Sequence, residues 1–166
     1  MTASFFAFLL LAGCGFQPIH GGAKGPETRA ELASVRIEPI EERIGQKLRN
    51  NLLDAMNPMG APQRPAYRLT VTLVESKQEL AVRRSEFATR ANLVLRALFQ
   101  LTSAAGDGKR VFAGASNVTA SYNILSSDYG TMAAEADARD RGVRELSDDI
   151  TQRLAAYFRQ QAQAAQ

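Results

Sequence analysis

The sequence has one cysteine and one histidine among its 166 residues, and it has no tryptophan. A single cysteine cannot form a disulfide within the chain, so packing alone or a partner must stabilise the fold. The histidine, His20, lies close to Pro18, Gly21 and Gly22, where a general base would have no preorganised pocket. These scarcities exclude a disulfide scaffold and argue against catalysis through histidine.

Motifs that carry known chemistry are also missing. The sequence has no Walker loop, no His/Cys metal spacing and no nucleophile elbow. Ser126, Ser127 and Asp128 could suggest a nucleophile pair, but they precede a helical pattern and are explained as helix-capping residues. The adjacent carboxylates of Asp148 and Asp149 diverge on a helix. We therefore predict that the protein is not an enzyme, has no catalytic residue and binds no metal.

Only one apolar run is present, and it is short. Residues 3–13 carry no charge and hold an apolar segment of roughly ten residues, whereas a membrane-spanning helix needs ~20. Such a segment is typical of the central region of an export signal. It ends in "LAGC", Leu11 to Cys14, which resembles the lipobox of bacterial lipoproteins.

The lipobox implies an anchor. In that class the signal is cut before the cysteine, which then carries acyl chains such as palmitate, so we expect a signal peptide at residues 1–13 and a covalent lipid on Cys14. No other cofactor is expected. The alternative is that Cys14 is a small buried hydrophobe. Gly15 follows the cysteine where Asp would favour retention at the inner membrane, so the expected location is the periplasmic side of the outer membrane.

The remaining 153 residues suit one domain with a real core. We predict a lipidated N-terminus and flexible tether at residues 14–33, a single α+β domain at residues 34–160, and a disordered tail at residues 161–166. No internal repeat suggests a second domain.

Hydrophobic periodicity predicts the elements of this domain. Apolar residues at every second position predict a short strand near Val35 and Ile37, and three longer strands after Pro65. Apolar residues at helical spacing predict a helix from about Glu41 to Met56 and a second one from about Asp128 to Gln161. The order strand, helix, three strands, helix predicts a two-layer sandwich. Both helices should pack on one face of a mainly antiparallel, four-stranded sheet.

Two glycines have specific expectations. Asp107 and Gly108 are a strong hairpin signal between the last two strands, because a tight turn of this kind needs positive φ. Gly142 stands inside the second predicted helix, where it indicates a close approach or a slight bend.

Basic residues gather near the turn between the second and third strands. The chain has 20 Lys and Arg against 17 Asp and Glu, so local clustering rather than net charge would have to bind an anion. Arginine grips phosphate with two hydrogen bonds, so these residues are candidates for binding the phosphates of an anionic amphiphile. The alternative is a solvated sheet face that discourages edge pairing. The candidates are Arg68, Lys77, Arg83, Arg84, Arg90 and Arg96.

Several segments together resemble the alphaproteobacterial form of the lipopolysaccharide-assembly lipoprotein family LptE. They are the lipobox with "CGFQPIHGG", "RIEPIEERIGQKLRNNL", "YRLTVTL", "RANLVLRALFQL", "ASYNILSSDY" and the terminal "AEADARDRGVRELSDDITQRLAAYF". The resemblance implies a plug inside the LptD outer-membrane β-barrel, help in assembling that barrel, and binding of lipopolysaccharide on its way to the outer leaflet. Of the family's functional residues, only the acylated Cys14 is carried over.

Other classes of function remain open at this stage. The chain could be a stand-alone lipid-binding lipoprotein, an accessory of a lipid ABC transporter, or a structural anchor without a ligand. A nucleic-acid partner is not expected, because the basic residues have no interleaved aromatics. Co-purification with a large outer-membrane barrel would distinguish the LptD-plug hypothesis from these alternatives.

Overall fold

The computed structural model describes residues 25–80, 89–106 and 108–165, and every structural statement below concerns these residues. Four strands form one sheet. In chain order the elements are α1 (Pro26–Ala33), β1 (Val35–Ile37), α2 (Glu42–Met56), β2 (Tyr67–Leu80), β3 (Thr89–Ser103), β4 (Arg110–Ile124) and α3 (Asp128–Ala164). The predicted α+β class and element order are confirmed, with one helix added before the first strand.

The strands lie in the sheet in chain order. β1 runs parallel to β2, with Val35 opposite Tyr67, because α2 carries the chain back to the same end of the sheet. β2 with β3 and β3 with β4 are antiparallel pairs. The sheet is therefore mixed but mainly antiparallel, as predicted. Gly108, with a φ of +57°, lies in the predicted β3–β4 hairpin, whereas Asp107 lies outside the described residues.

One face of the sheet is buried under the helices. In β3, six alternate side chains from Ala91 to Leu101 are at most 1% exposed. The α2 stripe predicted from the sequence is buried as well, and it consists of Ile44, Leu48, Leu52 and Met56. Leu98 points away from the helices and is 46% exposed. Among the described residues, helices thus cover one side of the sheet and not the other, which confirms the two-layer arrangement.

The close approach predicted at Gly142 is present. A Cβ atom on Gly142 would lie 2.7 Å from Cδ1 of the fully buried Leu95. Glycine therefore lets α3 lie close to the central strand. Toward its N-terminus α3 has fewer large buried apolar side chains, and Met132 is 70% exposed although it is apolar.

The helix α1 lies in the segment that we assigned to the tether, residues 14–33. Residues 26–33 are helical, and Leu32 is 2% exposed in the core. Two turns of helix are too short for a periodicity to be visible in the sequence. In the structure α1 lies against α3 and α2, and Leu32 is part of the core. The structure also continues α3 to Ala164, into the segment predicted to be a disordered tail. Residues 14–24 lie outside the described residues.

Candidate interaction surface

The face of the sheet opposite the helices is not covered by any described element. Its side chains are Arg36 of β1, the even-numbered residues 68–78 of β2 and 90–102 of β3, and the odd-numbered residues 113–123 of β4. We call this surface the open face. Most of these side chains are exposed, in contrast to their buried neighbours in sequence.

Three of the predicted anion-binding residues lie on the open face. Arg68, Arg90 and Arg96 are exposed. Arg90 and Arg96 are six residues apart on β3, which is about 20 Å at ~3.3 Å per residue. Arg96 is opposite Val74, six residues from Arg68, so a similar distance separates that pair. Their positions in the strands place these three arginines on the same face of the sheet. The residues between them separate them by about 20 Å or more along the strands, so they do not form a cluster.

The other three predicted residues have different outcomes. Arg83 and Arg84 lie outside the described residues. Lys77 is opposite Leu93, a fully buried residue, so it points to the helix side of the sheet and not to the open face. Its ammonium group lies 3.1 Å from the Glu135 carboxylate of α3. The prediction that Lys77 belongs to the same basic cluster as Arg90 and Arg96 is therefore not met, because its position in β2 has the opposite parity.

Lys77 belongs instead to an ion-pair network that joins α3 to the sheet. Arg139 donates from Nε and Nη2 to the two carboxylate oxygens of Glu75, at 2.9 and 2.7 Å. The same Nη2 donates to Glu135 at 2.8 Å. The second Glu135 oxygen accepts from Lys77 at 3.1 Å and from the Tyr122 hydroxyl at 2.9 Å. These five residues form the α3 network, which lies where large apolar side chains become scarce between α3 and the sheet.

The α3 network shifts the pKa values of its members. Burial alone would raise the pKa of Glu135, but the hydrogen bonds from Lys77, Arg139 and Tyr122 outweigh it and lower that pKa. Hydrogen bonding to Glu75 raises the pKa of Arg139. Both effects favour the charged forms at neutral pH, so the network is made of ion pairs.

A recess of about 350 Å³ lies at the end of the sheet near Arg90. Its lining also includes Asn123, Arg141 and Asp137. Arg141 is paired with Asp137 and donates to the backbone oxygen of Ser121 at 3.3 Å. Arg90 makes no ion pair with another described residue, so it is the cation in this recess that is available to an anion.

Arg36 is an open-face residue that the sequence analysis did not include among its candidates. It lies directly opposite Arg68 in the parallel pair of β1 with β2. The alternation of Val35, Arg36 and Ile37 already indicated that Arg36 points outward. Periodicity within one strand cannot predict which strands pair. The sequence therefore did not show that the parallel pairing of β1 with β2 places Arg36 beside Arg68.

Ser127 and Asp149 have structural roles at the start of α3 and within it. The Ser127 side chain accepts a hydrogen bond from the backbone N–H of Gly130 at 3.3 Å, which confirms its assignment as the N-cap of α3. Asp149 is paired with Arg153 one turn along the same helix. Within the described ranges no group of His, Cys, Asp and Glu could hold a metal ion. No helix in the same ranges has the length and hydropathy needed to span a membrane.

Comparison with known proteins gives the family. The lipopolysaccharide-assembly family LptE matches residues 32–154, so the chain belongs to the LptE family. This is a family of cell-envelope lipoproteins without enzymatic activity that takes part in lipopolysaccharide transport with LptD. The resemblance stated from the sequence is therefore confirmed. No curated protein matches the chain.

Solved structures of bacterial lipoproteins share the fold. A lipoprotein from Caulobacter crescentus CB15 is 25% identical with a TM-score of 0.63, and the match covers 79% of this chain and 95% of that one. A minor lipoprotein from Acinetobacter baumannii is 16% identical with a TM-score of 0.56, over 74% and 90% of the two chains. Rare lipoprotein B from Shewanella oneidensis is 11% identical with a TM-score of 0.56, over 74% and 93%.

Proposed function

We propose that this protein is anchored to the periplasmic side of the outer membrane by acyl chains on Cys14 and forms a plug-and-barrel complex with LptD. In that complex it assists assembly of the barrel and binds lipopolysaccharide on its way to the outer leaflet. Membership of the LptE family across residues 32–154 carries this proposal. The fold supports it, because no described element covers the open face, which a partner could therefore contact, while helices cover the other face of the sheet.

Lipopolysaccharide binding is assigned to the end of the sheet that holds Arg90. Arg68 is about 40 Å away along the strands, at ~3.3 Å per residue, so a single headgroup cannot engage both. Arg90 lines the recess beside β4. Arg83 and Arg84 are close to Arg90 in sequence. The binding site is therefore proposed to combine these three arginines, and the phosphates of lipid A are the groups they would hold.

Co-purification tests the proposed complex. The full-length lipoprotein is produced in cells together with the LptD barrel of the same organism, and the barrel is isolated through a tag. We expect the lipoprotein to be recovered with the barrel in a stable complex. Recovery of the barrel alone would contradict the proposal and would favour a stand-alone lipid-binding lipoprotein or an accessory of a lipid ABC transporter.

A double variant tests the lipopolysaccharide site. Arg83→Asp with Arg90→Asp replaces attraction of phosphate by repulsion, so lipopolysaccharide binding should weaken at least about tenfold, which is about 1.4 kcal/mol. Wild-type binding should also weaken as salt is raised. Arg43→Asp with Arg159→Asp, on the exposed side of the helices, is the matched control and should bind as the wild type does. Undiminished binding by the first variant would show that these arginines are only a solvated face.

A further inference from the structure

The open face has an unusual distribution of charge. Four arginines occupy the positions that define it, and none of the chain's 17 acidic residues does. A fifth arginine, Arg110, lies beyond the irregularity in β4, opposite Thr102 of the open face. The net charge of the whole chain is only +3, so the positive charge of the four arginines is larger than the net charge of the protein. None of the four arginines makes an ion pair with another residue that the structure describes. They are Arg36, Arg68, Arg90 and Arg96.

The positions of Arg36 and Arg68 lower the stability of the isolated protein. They are direct neighbours on adjacent strands, and like charges at such positions are destabilising. An acid paired with either arginine would relieve the repulsion. Glu38 follows β1 with the same parity as Arg36, and its backbone N–H donates to the Leu69 oxygen at 3.0 Å. Its carboxylate forms no ion pair with Arg36 or Arg68 among the described residues. Such a pair is better accommodated when an anionic surface covers the face.

Arg96 has a second feature that is typical of a docking site. It lies opposite Val74, and Leu98 is two residues further along the same strand on the same face. Val74 is 54% exposed and Leu98 is 46% exposed. Arginine is enriched in protein interfaces, and a partner that covered Arg96 would also remove the exposed apolar side chains of Val74 and Leu98 from water.

The chemistry of the face favours a protein over a lipid surface. Faces that lie on membranes combine Lys and Arg with Trp, Phe and other large apolar groups. The open-face positions contain no lysine and no aromatic residue, and most of the remainder are Thr, Ser, Asn and Gln. Arginine is enriched in protein interfaces and lysine is depleted. Hydroxyl and amide side chains can donate and accept hydrogen bonds with a polar protein surface.

We infer that the part of the open face around Arg36, Arg68 and Arg96 docks against an acidic, polar protein wall, while the helix layer faces away from it. This inference rests on the proposed function, in which that wall belongs to the interior of the barrel, because the interiors of outer-membrane barrels are polar. The extended, arginine-bearing sheet supplies complementary charge along the contact. Arg90 and its recess remain at the far end for lipopolysaccharide.

Charge reversal on the open face tests the inference in the complete complex. Full-length Arg68→Glu with Arg96→Glu is produced together with the LptD barrel, and the lipoprotein recovered with the tagged barrel is quantified. Like charges facing each other across an interface strongly oppose association, so recovery should fall at least about tenfold. The control Arg43→Glu with Arg159→Glu makes the same change of charge on the helix layer and should be recovered as the wild type is.

A second variant keeps the test independent of the arginines. Thr72→Glu adds one acid on the open face without removing a cation, and it should also lower recovery with the barrel. Both open-face variants should retain the wild-type unfolding curve and wild-type lipopolysaccharide binding. If Thr72→Glu and the double variant are recovered in full, or if the control is lost to the same degree, the inference is overturned.

Two further outcomes have defined meanings. If the double variant loses binding to phosphatidylglycerol vesicles while its recovery with the barrel is unchanged, the face binds lipid and the inference is overturned. Failure of the wild type itself to co-purify overturns the proposed function, and with it the barrel as the occupant of the face. The two failures are distinguishable because the first leaves the wild-type complex intact.

Discussion

Leu95 and Leu98 lie three residues apart on β3 and have opposite environments. Leu95 is fully buried against α3, close to Gly142, whereas Leu98 is 46% exposed on the open face. Both are leucines, so their chemistry is the same and only strand parity separates their roles. The same parity separates Lys77, which faces α3, from Arg96, which faces away from the helices.

Truncation of each leucine measures this difference. In a form lacking residues 1–14, Leu95→Ala should lower the free energy of unfolding by about 2–5 kcal/mol, because it leaves a cavity between the central strand and α3. Leu98→Ala is the matched control and should cost less than about 1 kcal/mol, since this side chain is 46% exposed and its truncation leaves no enclosed cavity. Denaturant unfolding gives both values. A loss below ~1 kcal/mol for Leu95→Ala would mean that the two faces of β3 are exchanged.

At the scale of elements, α3 is held to the sheet by two kinds of contact. Toward its C-terminus large side chains such as Leu146, Ile150 and Leu154 are fully buried. Toward its N-terminus, α3 contacts the sheet through small residues and the α3 network. N-terminal to Val143, Ala138 is a fully buried apolar side chain of this helix. This half of the contact therefore depends on charge, and it should respond to pH.

The pH dependence is expected to follow Glu135. Its pKa is held below the ordinary value of 4.5, so its contribution to stability is fully present above that value and is lost as pH falls through the lower folded-state pKa. Glu135→Gln should therefore lower the free energy of unfolding by about 1–2 kcal/mol at pH 7. The difference from the wild type should shrink as the pH is lowered from 5 to 3.

The matched control for this experiment is Glu145→Gln. Glu145 is exposed on the same helix and lies outside the α3 network. Its substitution should change the free energy of unfolding by no more than about 0.5 kcal/mol. Equal effects of the two substitutions, or a constant effect of Glu135→Gln across the pH range, would contradict a stabilising role of the network.

At the scale of the whole molecule, the protein combines a proposed lipid anchor with a two-layer domain that has one closed side and one open side. The anchor at Cys14 would hold the domain at the membrane. The helix layer closes the core. The part of the open face around Arg36, Arg68 and Arg96 is proposed to bind a protein wall. The recess at Arg90, at the far end of the sheet, is proposed to bind lipopolysaccharide.

The anchor is tested by Cys14→Ser. Several acyl chains at about 0.8 kcal/mol per buried methylene give a lasting attachment, so the wild type should fractionate with the outer membrane even without LptD. Cys14→Ser should be found unprocessed or free in the periplasm. If the variant still fractionates with the outer membrane in cells that lack the barrel, lipidation of Cys14 is not what anchors the protein.

The sequence by itself determined which residues form most elements and which face of each is buried. Period-two and helical patterns are local, so the inward side of β3 and the apolar stripe of α2 could be read directly from Ala91 to Leu101 and from Ile44 to Met56. The N-cap at Ser127 and the close approach at Gly142 were equally local signals.

The tertiary structure alone decided the features that depend on pairing between distant segments. The packing of α1 against α3 places Leu32 of α1 in the core. The parallel pairing of β1 with β2 brings Arg36 beside Arg68. The pairing of Lys77 with Glu135 joins residues 58 positions apart. Spacing within a strand predicts which face a side chain occupies, but the distance between charges on that face depends on register, which is set by the turns and the packing of the whole sheet.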